Sequence, residues 1–190
     1  MAMRPWTKPL AAGAIATAAA AGYLGLVTGA VPIDLGVGRR SRPLGPQQVG
    51  VAAPRDVVFD VIAQPYLGRT THALADKIRV LERGADLVLA AHRTPIRGRL
   101  VATTVETIKF YRPDRVTFRL VRGPVPHVTE EFRLEEDGPR TRLIYHGEMA
   151  ADLWRLGQWW ADAVARRWET TVAGSLDAIK HEAERRASHR

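Results

Sequence analysis

Apolar and small residues recur at helical spacing near the end of the chain: Leu153, Gly157, Trp160, Val164, Trp168, Val172, Ser175, Ile179 and Ala183. The pattern predicts one long helix over 152–190, with Asp152 as its N-cap and no proline to interrupt it. Trp, Gly and Ser share this stripe, where a coiled-coil seam would carry Leu and Ile, so the helix is expected to pack on a broad apolar surface of its own chain. Upstream the period shortens to two. A first strand is expected over 47–53, then a short helix with Pro54 at its first position and Val57, Val58, Val61 and Ile62 on its buried side. Residues 65–74 read as a second short helix or an ordered loop. Three hairpins follow: 78–83 with 87–95 about Gly84-Ala85-Asp86, 100–110 with 116–122 about Pro113-Asp114, and 128–135 with 142–150 about Asp137-Gly138. Their connections are too short for crossovers, so the strands are expected to be antiparallel neighbours.

The N-terminal part is organised differently. Residues 10–31 form a run of 22 without a charge, after a basic leader (1–9) bearing Arg4 and Lys8. As a helix the run would measure about 33 Å, close to a hydrocarbon core of about 30 Å. It is expected to be a single transmembrane anchor placing the protein in the cell membrane. A cleaved signal sequence is the alternative, since Thr28-Gly29-Ala30 supplies small residues, and a buried soluble helix is a third. Charges flank both ends of the run, and orientation is read only as leaning towards a cytoplasmic C-terminal domain. Residues 32–46, rich in Gly and Pro, read as a linker. Gly36-Val37-Gly38 lacks the third glycine, the preceding strand and the following helix of a dinucleotide loop.

Composition narrows the possibilities. The chain has 190 residues, 46% of them hydrophobic, which supports one domain with an appendage. It contains no cysteine, which removes disulfides, thiolate metal sites and Cys nucleophiles. Its net charge is +8, of which residues 1–55 carry +5. The basic excess thus flanks the apolar N-terminal run, a pattern suited to anionic headgroups and not to a nucleic acid partner.

The order Arg119-Leu120-Val121-Arg122-Gly123-Pro124, Val128-Thr129-Glu130-Glu131-Phe132, the Asp137-Gly138 turn, Thr141–Glu148 and then a Trp-bearing helix, with Ala53-Pro54 opening a short helix after the first strand, resembles the START-like helix-grip superfamily. That superfamily includes the polyketide cyclase/dehydrase and lipid-transport proteins. The resemblance covers roughly residues 47–188. It implies an α+β fold in which a seven-stranded antiparallel sheet curves around the long C-terminal helix, here with an added N-terminal apolar helix, and it implies a hydrophobic cavity between sheet and helix. The function expected is a membrane-tethered binding or transfer module for a hydrophobic small molecule, a lipid or a polyketide-like compound. The alternative is a cyclase/dehydratase-type enzyme using carboxylates in the same cavity.

Specific chemistry is sparse. The six histidines have no metal-ligand spacing, and no GxSxG elbow or phosphate-binding glycine loop is present, so neither a metal nor a cofactor is expected and no catalytic set is assigned. Strand alternation instead nominates inward-facing groups. Glu130 shares a face with Val128 and Phe132, Glu106 shares one with Ile108 and Phe110, and His92 shares one with Val88 and Ala90. A carboxylate facing an apolar cavity costs several kcal/mol unless paired or protonated, so it would serve as a ligand anchor or as a general acid or base. The alternatives are a β-bulge that turns the residue outward, or an ion pair with Arg119 or Arg93 at the rim. The candidate ligand-binding set is Val88, His92, Glu106, Phe118, Glu130, Phe132, Tyr145, Trp160, Val164 and Trp168. Trp159 lies off the stripe, at the cavity mouth, on a membrane surface or simply exposed.

Overall fold

In the computed structural model, which describes residues 7–68 and 76–189, seven strands form one antiparallel sheet. The elements are α1 (Thr7–Val27), β1 (Arg40–Val51), α2 (Arg55–Leu67), β2 (Ile78–Arg83), β3 (Leu87–Arg97), β4 (Leu100–Tyr111), β5 (Arg115–Arg122), β6 (His127–Asp137), β7 (Arg140–Ala151) and α3 (Trp154–Ala187). The spatial order is β1-β7-β6-β5-β4-β3-β2, so six strands follow as a meander of hairpins and only β1 crosses to the far edge beside β7. The antiparallel neighbours are those expected from the short connections, and the whole is the α+β helix-grip arrangement that the resemblance implies. Most of the 65–74 stretch lies outside the described residues; the part that is described continues α2, with Pro65 in its last turn.

β1 starts at Arg40, inside the stretch read as a linker. Its early half carries Pro43 and Pro46 and no alternation, yet Arg40 pairs with Ala151 and Leu44 with Gly147 before the register shifts at Gln47. An edge strand tolerates both prolines, because one side of its backbone needs no partner.

The long helix packs chiefly on β1, β7 and α2. Its deepest residues are Gly157, Val172 and Ala183 of the expected stripe together with Ala161, Ala165 and Leu176 beside it. Small residues let the helix lie close to the sheet: a Cβ at Gly157 would stand 1.6 Å from the Asp152 carbonyl oxygen. Ser175, expected on the stripe, is exposed. Trp160, Val164 and Trp168 are only part-buried and pack against the core, with Trp160 bonded to Pro124 after β5 and Trp168 to Glu130 of β6.

Asp152 does not cap α3. The residue before the helix is Leu153, in the left-handed region at φ 72°, followed by Trp154 at φ 50°. Asp152, almost wholly buried, reaches back to the 32–39 segment instead. Its Oδ2 accepts the backbone N–H groups of Leu35 (2.6 Å) and Gly36 (2.8 Å), and its Oδ1 accepts Arg39 Nε at 2.7 Å. The Arg39 hydrogen bond, helped by the two backbone donors, holds the carboxyl below its ordinary pKa despite burial. Leu153 and Trp154 donate to the carbonyls of Val37 and Gly38, so the segment is stapled to the start of α3. Asp152→Ala is expected to cost about 2 kcal/mol in urea unfolding, the value of charge-assisted hydrogen bonds lost together.

The membrane-crossing helix expected over 10–31 is not supported. α1 ends at Val27, and among the described residues no helix is long and apolar enough to cross a membrane. The chain turns at Thr28, whose carbonyl accepts Thr103 N–H at 3.0 Å, and Gly29 is buried against Thr103 and Gly123. Tyr23 meets Trp160 edge-on at 6.4 Å, so the end of α1 rests beside the gap between α3 and the sheet.

Candidate functional site

All three nominated polar side chains point to the inner face of the sheet, and among the described residues no arginine is bonded to them. The β-pleat sets this directly: Ile108 pairs with Phe118, Phe118 with Glu130, and Glu106 precedes Ile108 by two positions on the same side. Glu106 and Glu130 therefore stand two strands apart, with Phe118 and Leu120 of β5 between them.

Two polar clusters result. In the first, His92 Nδ1 lies 3.0 Å from Glu106 Oε2, with its N–H off the line to the oxygen, so the contact is ionic before it is a hydrogen bond. Thr104 Oγ1 donates to Glu106 Oε1 at 2.7 Å, and His92 Nε2 meets the Tyr66 hydroxyl at 3.0 Å. Burial is the strongest influence on both His92 and Glu106 and disfavours charge on each. The mutual attraction, with Thr104 for the carboxylate and the more distant Glu130 for the imidazole, outweighs it. His92 is held above its ordinary pKa and Glu106 below. Both shifts favour the charged pair, an imidazolium beside a carboxylate. An imidazolium would donate from Nε2 to the Tyr66 oxygen and leave the phenol proton free to point at a ligand, whereas a neutral ring protonated on Nδ1 would accept from the phenol. Burial and the two carboxylates keep Tyr66 a neutral phenol.

In the second cluster a single oxygen, Glu130 Oε1, accepts both the Tyr145 hydroxyl and the Trp168 indole N–H, each at 2.6 Å. Its Oε2 takes no hydrogen bond from any described residue. Burial and the charge of Glu106 push the Glu130 pKa up to about 7, against the lowering effect of its two donors and of His92. Trp168 reports this titration directly. Its fluorescence is expected to change with a midpoint near pH 7 and to lose that transition in Glu130→Gln.

Between and around the clusters runs an aromatic wall. Phe118 lies 6.0 Å from Tyr66 and 5.6 Å from Phe132, which in turn lies 5.5 Å from Tyr145. These rings and Val88 are buried, so the interior is largely filled by aromatic side chains and is not the open greasy chamber expected. His92, Glu130, Trp160, Val164 and Trp168 are part-buried and keep some accessible surface. Trp160 is fixed by its Nε1 hydrogen bond to the Pro124 carbonyl, 2.7 Å. Phe110, 6.0 Å from Tyr66, also walls an apolar hollow of about 350 Å³ among Phe59, Ala63, Leu67, Arg112 and Arg186. A second hollow of about 630 Å³ is lined by the outward-facing Thr107, Lys109, Thr117 and Arg119 and also by Phe118, Glu130 and Gly147. Among the described residues no group of three or more acidic, His or Cys side chains could hold a metal ion.

The structure therefore gathers the expected set but splits it, with His92 and Glu106 in one cluster and Glu130, Tyr145 and Trp168 in the other. Sequence reading missed Tyr66 and Thr104. Tyr66 follows Ile62 by four residues on the buried face of α2, a legible signal masked by taking Pro65 as a helix stop. Thr104 shares the strand parity of Glu106.

Fold and site together define a helix-grip protein with two buried or half-buried glutamates, Glu106 and Glu130, on the inner face of its sheet. A family model for polyketide cyclase / dehydrase and lipid transport matches residues 47–184, and the chain belongs to that family. Among solved structures, the chain is similar to the ZhuI aromatase/cyclase from Streptomyces sp. R1128, at TM-score 0.62 and 22% identity over 78% of this chain and 95% of that one. It is also similar to a truncated norcoclaurine synthase from Thalictrum flavum (TM-score 0.60, 13% identity, 83% and 100% covered). The di-domain ARO/CYC BexL from the BE-7585A biosynthetic pathway matches at TM-score 0.53 and 20% identity, over 80% of this chain and 51% of that one. At these identities the likenesses show the fold. No curated protein matches the chain.

Proposed function

We propose that the chain binds an apolar, carbonyl-bearing small molecule of polyketide-like type in the cleft beside α3 and moves a proton on it, as a cyclase or dehydratase does. One observation carries this reading: Glu130, with one oxygen left free and its pKa pushed up to about 7 by burial and by Glu106, stands on the same inner face of the sheet as the Tyr66–His92–Glu106 cluster. A carrier that only solvates an apolar ligand needs neither. Two carboxylates driven apart in proton affinity by their surroundings form an acid–base division of labour.

The roles follow from the geometry. The aromatic wall and Trp160, Val164 and Trp168 hold the ligand by burial, at about 25 cal/mol per Å² of apolar surface. The Tyr66 phenol, polarised by the His92 imidazolium, donates to the ligand carbonyl oxygen and stabilises the enolate that forms there. Glu130 Oε2, ionised, takes the proton from the carbon next to that carbonyl. The same group, now protonated, can return it to carbon or to a departing hydroxyl. Family membership and the aromatase/cyclase neighbours support this reading.

The test uses 2-acetonaphthone as a minimal aryl ketone. The purified full chain should quench Trp fluorescence on binding it, and should catalyse deuterium exchange into its methyl group in heavy water, followed by NMR. Quenching without exchange would leave a binding module and remove the catalytic part; neither signal would remove both.

A further inference from the structure

Beside the cleft, at the start of α3, the surface carries large apolar side chains that the fold leaves uncovered. Trp154, Leu156 and Trp159 are 54%, 65% and 65% exposed, and Leu35 and Val37 of the stapled segment are 59% and 47% exposed. The hydrogen bonds from Leu153 and Trp154 to Val37 and Gly38 set Trp154 beside the stapled segment, Leu156 and Trp159 follow within the next turn and a half of α3, and Tyr23, 59% exposed, meets Trp160 at the end of the same stretch. Scattered exposed apolar residues need no explanation, but five at one end of a helix and its attached segment, two of them tryptophans, do. The backbone makes the patch at a cost, since Leu153 and Trp154 are consecutive left-handed residues without being glycines. A Cβ at Gly38 would collide with the Trp154 ring, so Gly38 is the residue on which that ring rests.

The rim supplies the second observation. Arg40 and Arg155 flank the patch, both exposed, and neither forms an ion pair with any described residue. The nearest acids are already committed: Asp34 and Asp152 to Arg39, and Asp162 to Arg42. Exposed Trp and Leu ringed by unpaired Arg is the composition of a surface that sits at the headgroup level of an anionic bilayer.

We infer that this face docks the protein on the surface of an anionic membrane, lying on the bilayer and not crossing it, with the cleft mouth at Trp160 turned towards the lipid. The inference is independent of the proton chemistry proposed above, and its assay contains no small-molecule ligand.

The full chain should float with phosphatidylcholine vesicles containing about three-tenths phosphatidylglycerol, bind pure phosphatidylcholine far more weakly, and be released by salt. The double variant Leu156→Gln/Trp159→Gln, altered only at exposed positions, should bind anionic vesicles about tenfold more weakly or worse with an unchanged melting temperature. Arg40→Glu/Arg155→Glu should show a similar loss that low salt does not restore. Wild-type protein that stays in the aqueous fraction, or a Leu156→Gln/Trp159→Gln protein that floats as well as wild type, would overturn the proposal. A wild-type dimer in vesicle-free buffer that becomes a monomer in that variant would assign the face to a second copy and overturn it as well.

Discussion

Glu130→Gln is expected to slow deuterium exchange into 2-acetonaphthone by about 10²-fold or more, the usual contribution of a positioned general base. Gln keeps the size of the side chain and can still accept from Tyr145 and Trp168, so affinity for the ketone should hold while turnover falls. The pH profile sharpens the test. A base whose pKa lies at about 7 makes the wild-type rate rise through neutrality and level off above it, and the variant should lose that limb. Stability runs the opposite way. Glu130 in the folded chain keeps its proton up to about pH 7, whereas the unfolded chain has released it by the ordinary value of 4.5. Between those values the native state binds more protons, so stability falls as pH rises across the window. Glu130→Gln should flatten that slope in urea unfolding. A variant with wild-type exchange rates would place the proton transfer elsewhere.

The His92–Glu106 pair should dominate the stability mutants. Glu106→Ala leaves a buried imidazole and Thr104 without their partner and is expected to cost about 3 kcal/mol in urea unfolding. The double change His92→Leu/Glu106→Leu should recover most of that loss, because two apolar side chains of similar volume need no mutual solvation. Exchange activity should not recover, since Tyr66 then lacks the imidazolium that orients it. The pair has its own pH window. The raised His92 contributes below its ordinary 6.5, and that contribution fades as pH rises past the raised value. The lowered Glu106 contributes above its ordinary 4.5 and loses that as pH falls past the lowered value. Recovery of both stability and activity in the double variant would make the pair a structural device alone.

Much of this arrangement could be read from the order of residues, and what could not has physical causes. The three hairpins were legible because alternation and turn residues are local signals, and alternation alone turned Glu106, Glu130 and His92 inward. The early half of β1 was not, because main-chain pairing to β7 carries it through two prolines. The helix face was read with the right residues except Ser175, but the reading left out Ala161, Ala165 and Leu176, whose small or apolar side chains take buried positions beside that stripe. Asp152 has the right residue type and position for an N-cap. It is recruited by Leu35, Gly36 and Arg39, more than a hundred residues away in sequence, a competition no local pattern reveals. The partition of one candidate site into two clusters depends on Tyr66, which arrives from α2 and gives His92 a partner unrelated to strand parity.

Titration of the Glu130 carboxyl carbon by ¹³C NMR, assigned by its loss in Glu130→Gln and repeated with 2-acetonaphthone present, tests the central claim most directly. The account predicts a midpoint near pH 7 in the free protein and a displaced midpoint once the ketone occupies Oε2. A carboxyl that titrates in the ordinary glutamate range and does not respond to the ketone would contradict it.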